Sequence, residues 1–340
     1  MNEERGDRTG SRTPDSGGLL WGGAIDDMAY PQWVIDQIIP AESVSMLYGR
    51  SGKGKSFWAL DWALTVSSGK GKWHGRAVKQ CPVVYVAGEG KSGYKARIQA
   101  WEKQNRTQRG AFGLYQRPVR MWGQSKSVQD FIDEINAASV RPGLIVLDTL
   151  GTCLSGANEN DNGQMREVLD SAEDIARAWD AAVLLVHHTG KKGEEPRGAQ
   201  ALQDGVAMHA YLNGDGKAYG VLACTKQKDA EPFEPVRRTL HTVSLEKGAT
   251  SLSFADEYKT VQRDQTRRRV PWAEVRTLLA DSPIPMTPKL VADTLNWDRK
   301  AAGQQLRNAE ERGEVYQPSG IGGYALNTDY MPDVANMAAI

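Results

Sequence analysis

Short apolar runs alternate with helix-like segments along most of the chain. The runs are continuous and rich in β-branched residues, as expected of strands buried on both faces, and they lie at 43–48 (SVSMLY), 82–87 (PVVYVA), 144–148 (LIVLD) and 182–187 (AVLLVH). Segments with apolar residues three and four positions apart predict helices between and after these strands, at 56–67, 94–104, 128–138 and 165–179. The alternation predicts an α/β fold with a mostly parallel sheet flanked by helices.

The pattern changes twice in the second half of the chain. From 205 to 255, alternating segments are separated by Gly, Asp or Pro, which predicts antiparallel strands that extend the sheet. After a basic stretch (RDQTRRR, 263–269), helices are predicted at 271–280, 287–295 and 298–313, followed by a strand, a Gly-rich turn and a second strand. Three helices and a hairpin in this order are typical of a winged helix, a helix-turn-helix variant.

These patterns predict five segments. They are an arm at 1–18 that we expect to be disordered, an α/β domain at 19–258, a basic linker at 259–269, a winged-helix-like domain at 270–328 and a tail at 329–340.

Composition limits the functions that such a chain can have. The 42 basic and 42 acidic residues cancel, so binding to a polyanion must rely on local patches or on several subunits. The three cysteines lie far apart, which argues against a disulfide framework or a zinc site. No apolar stretch reaches the ~20 residues of a membrane span, and the first residues lack the apolar core of a signal peptide. We therefore expect a cytoplasmic protein.

The segment from 49 to 56 carries the clearest chemical signal. It matches GxxxxGK[ST], in which glycines let backbone N–H groups point at phosphates, the lysine reaches the outer phosphates and the hydroxyl binds Mg²⁺. A predicted strand precedes it and a predicted helix follows. The sequence thus predicts a site for ATP and Mg²⁺ formed by Gly49, Arg50, Ser51, Gly52, Lys53, Gly54, Lys55 and Ser56.

Two acidic residues at strand ends are candidates for the rest of the site. Asp148 ends a buried strand, where it would hold Mg²⁺ through water while Ser56 binds the metal directly; otherwise it is an ordinary acidic residue at a strand end. The next residue is Thr149, so a catalytic carboxylate beside Asp148 is missing. Glu89, which follows the strand at 82–87, is the candidate base that would polarise the attacking water. On the residues alone, Glu89 is equally an acidic loop residue.

From about 41 to 245 the chain resembles the RecA-like P-loop ATPases, in particular the RepA-type hexameric replicative helicases of plasmids and phages. The parts that carry the resemblance occur in the same order: the phosphate loop, YVAGEG, LIVLDT, LLVHHTGKKGEEPRGAQAL and CTKQKD. The resemblance implies that Glu89 is the catalytic base and that His188 senses the γ-phosphate, with His187 beside it. Either histidine is otherwise an ordinary strand-end residue.

In RecA-like proteins, the loops that follow the two parallel strands predicted here at 144–148 and 182–187 face the DNA. Here they are 155–164 and 189–200, and the second contains Lys191, Lys192 and Arg197, which suit phosphate contacts without base reading. Arg197 lies in RGA, which resembles the family's RGS arginine that acts on a neighbouring subunit's nucleotide. A solvated surface loop is the alternative.

Lys226 and Lys228 lie two positions apart on a predicted strand, so their ammonium groups share one face. We expect that nothing within a single subunit requires two ammonium groups on this face. The resemblance implies that they reach the next subunit's γ-phosphate in a finger role, which requires a ring or filament. The family often has an arginine there, and two solvated lysines are the alternative.

The third C-terminal helix presents a row of polar and basic side chains, and its predicted DNA contacts are Arg299, Lys300 and Arg307. It also carries Glu310 and Glu311, so protein binding, for instance to replication proteins, stays open.

We expect an ATP- and Mg²⁺-dependent helicase that acts on single-stranded DNA as a homo-hexamer in replication. Two alternatives remain. One is a recombination or strand-annealing ATPase that forms filaments, and the other is a DNA-binding initiator or regulator that uses ATP only as a switch.

Overall fold

The computed structural model describes residues 19–88, 90–123, 125–190, 196, 198–216, 219–254, 270–295, 297–318 and 323–327. The chain forms two units, Met1–Gln32 and Trp33–Ile340. In the first unit, the described residues 19–32 contain a 3-10 turn at Gly22–Ile25. The arm, the basic linker and the tail that the sequence predicts lie outside the described residues.

The second unit contains all the strands and α-helices described below. The strands are β1 (Trp33–Ile35), β2 (Ile39–Pro40), β3 (Val44–Gly49), β4 (Lys72–Trp73), β5 (Arg76–Ala77), β6 (Val83–Ala87), β7 (Phe112–Tyr115), β8 (Leu144–Asp148), β9 (Ala182–His188), β10 (Met208–Gly214), β11 (Tyr219–Gln227), β12 (Val236–Ser244), β13 (Thr250–Phe254), β14 (Val315–Tyr316) and β15 (Ala325–Leu326). The helices are α1 (Lys55–Ser68), α2 (Tyr94–Asn105), α3 (Ser125–Ala137), α4 (Leu150–Cys153), α5 (Asn162–Arg177), α6 (Gln200–Gly205), α7 (Trp272–Ala280), α8 (Pro288–Thr294) and α9 (Arg299–Glu311).

A large mixed sheet forms the centre of this unit. Within the described part of the chain it has nine strands in the order β13-β12-β11-β10-β3-β9-β8-β6-β7. The strands from β10 to β7 run parallel, whereas β11, β12 and β13 continue the sheet antiparallel. The predicted α/β fold, with a mostly parallel sheet and an antiparallel extension, is confirmed.

Helices cover both faces of the sheet, which explains why the central strands are apolar throughout. All five residues of β8 are buried. Its Val146 belongs to the core under α1 and α2, and its Ile145 belongs to the core under α3 and α5. Because successive side chains of a strand point to opposite faces, a strand covered on both sides needs apolar residues at every position.

Several short elements do not follow from the sequence pattern. The edge strand β7 contains Gly113, and its residues are at most half buried, so it lacks the apolar run of a central strand. The pairs β1–β2 and β4–β5 consist of strands of two or three residues. Runs of this length are too short to produce a readable period.

A buried polar network ties α1 to its surroundings. The carboxylate of Asp61 accepts hydrogen bonds from Trp73 Nε1 at 2.8 Å and from Trp101 Nε1 at 2.9 Å, and it forms an ion pair with Arg238. The Arg238 guanidinium in turn lies 4.2 Å from the ring centroid of Phe254. The network thus joins α1 to β4, α2, β12 and β13 through charges that are almost fully removed from water.

The C-terminal elements pack around a small core of their own, which includes Val275, Leu279, Val291 and Leu306. Thr287 Oγ1 caps α8 by accepting from Leu290 N at 3.2 Å. Asp298 Oδ1 caps α9 by accepting from Ala301 N at 2.9 Å. The predicted helix starts at these two residues are confirmed, because each side chain satisfies a backbone N–H that the first turn leaves unpaired.

This C-terminal region meets the rest of the second unit at the end of α7. Arg50, in the loop after β3, forms an ion pair with Asp281 at 3.1 Å. The hydroxyl of Tyr211 on β10 donates to the Asp281 carbonyl oxygen at 2.6 Å. Around these bonds, a narrow apolar gap is lined by residues of both sides, among them Tyr211, Val221, Ala223, Leu278, Ile284 and Met286.

Within the part of the chain that the structure describes, no helix is both long and apolar enough to cross a membrane.

We predict that Asp61→Ala lowers the free energy of unfolding by about 3–5 kcal/mol, because it leaves the Arg238 guanidinium buried without its counter-charge. Denaturant unfolding of wild type and variant measures the difference. Replacing both partners together (Asp61→Leu with Arg238→Met) is expected to recover part of the loss, because the indole N–H groups of Trp73 and Trp101 still lose their acceptor.

The matched control is Arg141→Ala, which removes an ion pair to Asp180 whose side chains are 74% and 64% exposed. It is expected to cost less than about 1 kcal/mol. Equal losses for Asp61→Ala and Arg141→Ala would contradict the importance of the buried network.

Candidate functional site

The segment after β3 forms a tight loop that leads directly into α1. Gly52 and Gly54 have φ values of 75° and 89°, in the region that favours glycine. Gly49 packs so closely on β10 that a Cβ there would overlap the Leu212 carbonyl oxygen. The glycines of the predicted phosphate loop are thus required by the backbone path between the strand and the helix.

Lys55 is the first residue of α1, and it is 5% exposed. Its Nζ donates to the carbonyl oxygens of Gly49 at 2.8 Å and Arg50 at 3.0 Å. It also lies 3.3 Å from Nδ1 of His188. Since an ammonium only donates, this contact requires Nδ1 to accept, which assigns the ring proton of a neutral His188 to Nε2.

The two histidines lie at the end of β9, beside the end of β3. His188 is paired with Gly49 in the sheet register, and Thr189 N donates to the Gly49 carbonyl at 3.3 Å. His187 points into the protein and is 1% exposed, whereas His188 is half buried. His188 is therefore the histidine that the structure brings to the phosphate loop.

Asp148 ends β8, two strands away from the phosphate loop, and is 2% exposed. Its Oδ2 accepts from the hydroxyl of Tyr85 at 2.6 Å and from that of Tyr94 at 2.9 Å. Its Oδ1 is buried, and no described residue donates a hydrogen bond to it. A buried carboxylate oxygen without a donor is an unfavourable arrangement that a cation would relieve.

These residues fit Mg²⁺. Asp148 Oδ1 is a hard oxygen ligand, and Ser56, in the first turn of α1, would supply a hydroxyl. Bound there, Mg²⁺ neutralises charge on the phosphate oxygens of a nucleotide. Among the described residues, no group of three or more His, Cys, Asp or Glu side chains is placed to hold a metal ion.

A family model described as AAA domain matches residues 10–194, more than half of the chain. The chain belongs to this family. It is therefore a P-loop ATPase, and the matched region contains the phosphate loop, Asp148 and His188. The match ends before Lys226, Lys228 and the three C-terminal helices.

Lys226 and Lys228, which lie beyond the matched region, have partners within the same chain. Lys226 Nζ donates to the carbonyls of Gln203 and Asp204 at 2.9 and 2.7 Å, and Lys228 Nζ donates to that of Gly205 at 3.3 Å. The last carbonyls of a helix lack intrahelical donors, so cations stabilise the end of α6. The expectation that a single subunit has no use for the pair is wrong. Their role toward a neighbouring subunit stays a prediction.

The two loops predicted to face DNA are joined by hydrogen bonds. Ala199 N donates to the Glu159 carbonyl at 2.7 Å, and Ala201 N donates to Asn162 Oδ1 at 3.0 Å. Thr189 and Pro196 form an isolated β-bridge. The start of the second loop is thus held at the phosphate loop, and its end is held at the first loop.

Four of the predicted site residues lie outside the described residues: Glu89, Lys191, Lys192 and Arg197. Arg299, Lys300 and Arg307 are exposed on α9, where they border a concave surface together with Pro288, Gly303 and Gln304. This surface belongs to the C-terminal elements.

Tyr85 and Tyr94 are contacts of Asp148 that the sequence analysis missed. A signal for Tyr85 was available, because a buried tyrosine in an otherwise aliphatic strand needs a partner for its hydroxyl. For Tyr94, the first residue of α2, the sequence offers no comparable signal.

His209 lies on β10 opposite Lys226 and is 6% exposed. Burial lowers its pKa to about 4, with the nearby charge of Lys226 acting in the same direction and Asp204 opposing it. Burial likewise lowers the pKa of Lys226, and the charge of Lys228 adds to this. The histidine is therefore neutral in the folded protein near pH 6, where the unfolded chain begins to take up a proton.

We predict that His209 makes the protein less stable as the pH falls from 6.5 to about 4, because in that window only the unfolded state is protonated at this residue. Between pH 7 and 4.5, the unfolding free energy of the wild type is expected to fall by about 2–3 kcal/mol more than that of His209→Gln. Urea unfolding at the two pH values measures this. His241→Gln, at an exposed position on β12, is the control and is expected to keep the wild-type pH dependence. An unchanged pH dependence in His209→Gln would contradict the prediction.

Proposed function

We propose that this AAA domain couples ATP hydrolysis to movement along single-stranded DNA, as a helicase that works as a hexameric ring in DNA replication. The observation that carries the proposal is the contact between Lys55 Nζ and His188 Nδ1 at 3.3 Å. His188 ends the strand from which the second predicted DNA loop starts. A phosphate that binds Lys55 competes with this histidine, so the nucleotide state reaches the loop through one side chain.

The connection continues beyond the loop, which supports a motor over a simple ATP switch. The loop leads into α6, and Lys226 and Lys228 hold the C-terminal end of that helix. The other predicted DNA loop is bonded to the same segment at Ala199. A displacement that starts at His188 would therefore move both loops and the lysine-bearing strand together.

Within the proposal, each residue has one role. Lys55 and Ser56 bind the phosphates and Mg²⁺, Asp148 orients the metal, and Glu89 activates water. Lys191 and Lys192 contact the DNA backbone. Arg197, or Lys226 and Lys228 after release from α6, completes the site of the next subunit, which requires a closed assembly of identical chains.

The C-terminal elements supply a second DNA contact in the proposal. Thr287 and Asp298 cap the starts of two consecutive helices, as in a winged helix, and the exposed Arg299, Lys300 and Arg307 lie on the later helix. Guanidinium and ammonium groups on one exposed helix suit contacts to phosphates. The same surface is the expected site for replication proteins if DNA does not bind there.

We predict that single-stranded DNA raises the ATPase rate of the wild type by at least about tenfold and that the protein unwinds forked DNA in an ATP-dependent way. Lys55→Ala abolishes both activities. In His188→Asn, the ratio of DNA-stimulated to basal rate falls toward one, because the contact from the phosphate loop to the DNA loop is lost. Steady-state ATPase and strand-displacement assays measure these quantities, and His241→Asn is the control that keeps the ratio.

Three outcomes would overturn parts of this proposal. ATP turnover that ignores DNA in the wild type points to an ATP-switched initiator or regulator. DNA-stimulated turnover without unwinding, together with helical filaments by electron microscopy, points to a recombination or strand-annealing ATPase. Closed rings with a wild-type ratio in His188→Asn would remove this histidine from the coupling.

We predict that replacing Arg299, Lys300 and Arg307 together with alanine weakens DNA binding and makes it less dependent on salt. With fewer phosphate contacts, the protein releases fewer counterions from the DNA when it binds. Fluorescence anisotropy at several salt concentrations gives the slope, which is expected to fall by about 2–3. The matched control replaces Lys126, Arg141 and Arg177, which are exposed and lie outside the predicted DNA-binding regions. An unchanged slope in the α9 variant would contradict the proposed DNA contacts of this helix.

A further inference from the structure

We propose that Tyr85 and Tyr94 are positioning residues that orient the carboxylate of Asp148 toward Mg²⁺ in the ATPase site. The proposal deepens the function described above, because it rests on the assignment of Asp148 to the metal. It concerns two residues to which neither the sequence motifs nor the family match gives a role.

The geometry is asymmetric in a way that suits a metal ligand. Both hydroxyls donate to the same oxygen, Oδ2, at 2.6 and 2.9 Å. The other oxygen, Oδ1, is buried and receives no hydrogen bond from any described residue. The last torsion of an aspartate side chain is broad, so the carboxylate needs external contacts to fix its rotation. Two donors on one side fix it and leave the opposite oxygen for a cation.

Both tyrosines are reliable donors. A phenol hydroxyl has one proton to donate, and a carboxylate oxygen can only accept it. Tyr85 is 0% and Tyr94 1% exposed, so water does not compete for the same oxygen.

Tyr85 and Tyr94 lie on consecutive elements of the chain. Tyr85 belongs to β6, and Tyr94 is the first residue of α2. The stretch between these elements contains Glu89, the predicted base. Gly88 N also donates to the Asp148 carbonyl, at 2.7 Å. Described residues on both sides of Glu89 in the sequence are thus hydrogen-bonded to Asp148.

Ordinary core packing is the competing explanation, and it predicts a different response to mutation. The rings of Tyr85 and Tyr94 lie 5.4 Å apart, and phenylalanine keeps this contact. If the tyrosines only fill space, Tyr85→Phe and Tyr94→Phe leave the metal response unchanged. If they orient Asp148, loss of a hydroxyl frees the carboxylate to rotate and weakens Mg²⁺ binding.

The experiment is a Mg²⁺ titration of nucleotide binding, followed with a fluorescent ATP analogue. For Tyr85→Phe and Tyr94→Phe we expect the Mg²⁺ concentration at half-saturation to rise about 5- to 20-fold, whereas binding of the analogue in EDTA stays at the wild-type level. In the double variant the increase should be less than the product of the single effects, because both hydroxyls act on one oxygen.

Tyr115→Phe is the matched control, since its hydroxyl donates to a carboxylate of Glu134 at 2.7 Å, away from Asp148. It is expected to keep the wild-type Mg²⁺ response. In an Asp148→Asn background, Tyr85→Phe and Tyr94→Phe should have no further effect on the Mg²⁺ titration. Circular dichroism and thermal melts establish that the variants are folded.

The outcomes separate this proposal from the one on which it rests. A wild type whose nucleotide binding does not respond to Mg²⁺ removes the metal role of Asp148 itself. A normal wild-type response with unchanged half-saturation in both phenylalanine variants overturns the positioning role alone. DNA-stimulated ATPase and unwinding by the wild type test the motor function independently of either tyrosine.

Discussion

The buried ammonium of Lys55 is the interaction on which the site depends. A cation that is 5% exposed must have acceptors on all sides, and here the described ones are the carbonyls of Gly49 and Arg50 and the ring nitrogen of His188. These acceptors come from the end of β3, from the loop after it and from the end of β9. One charge therefore fixes three segments relative to one another. Any phosphate that binds this ammonium must replace one of them.

Two buried aspartates illustrate how structural and functional carboxylates differ within one protein. Asp61 receives donors on both oxygens, Trp101 on Oδ1 and Trp73 together with Arg238 on Oδ2. Its charge is fully compensated, and it connects helices and strands. Asp148 is as deeply buried, but among the described residues it receives donors on Oδ2 alone. The incomplete set of described partners, more than the burial, is the reason for proposing that Asp148 binds an external cation.

The sequence predicted the central strands, the main helices and the phosphate loop because each produces a strong local pattern. The apolar run ending at Asp148 and the glycines before Lys55 are readable without any knowledge of distant contacts. The role of Lys226 was not readable, because its partners are carbonyls of α6 about twenty residues earlier in the chain, and backbone groups leave no trace in the sequence. Tyr94 meets Asp148 for the same reason: only the fold brings the start of α2 to the end of β8.

The contact at Asp281 has a consequence for how the protein can be divided. The C-terminal elements line one side of an apolar gap, and Tyr211, Val221 and Ala223 of the sheet line the other side. A chain cut after β13 would expose these side chains to water and leave Arg50, in the phosphate loop, without its carboxylate partner. Truncation would thus expose an apolar surface that favours aggregation, and it would at the same time change the surroundings of the phosphate loop. Loss of activity on truncation could not be attributed to loss of DNA binding by the helices that were removed.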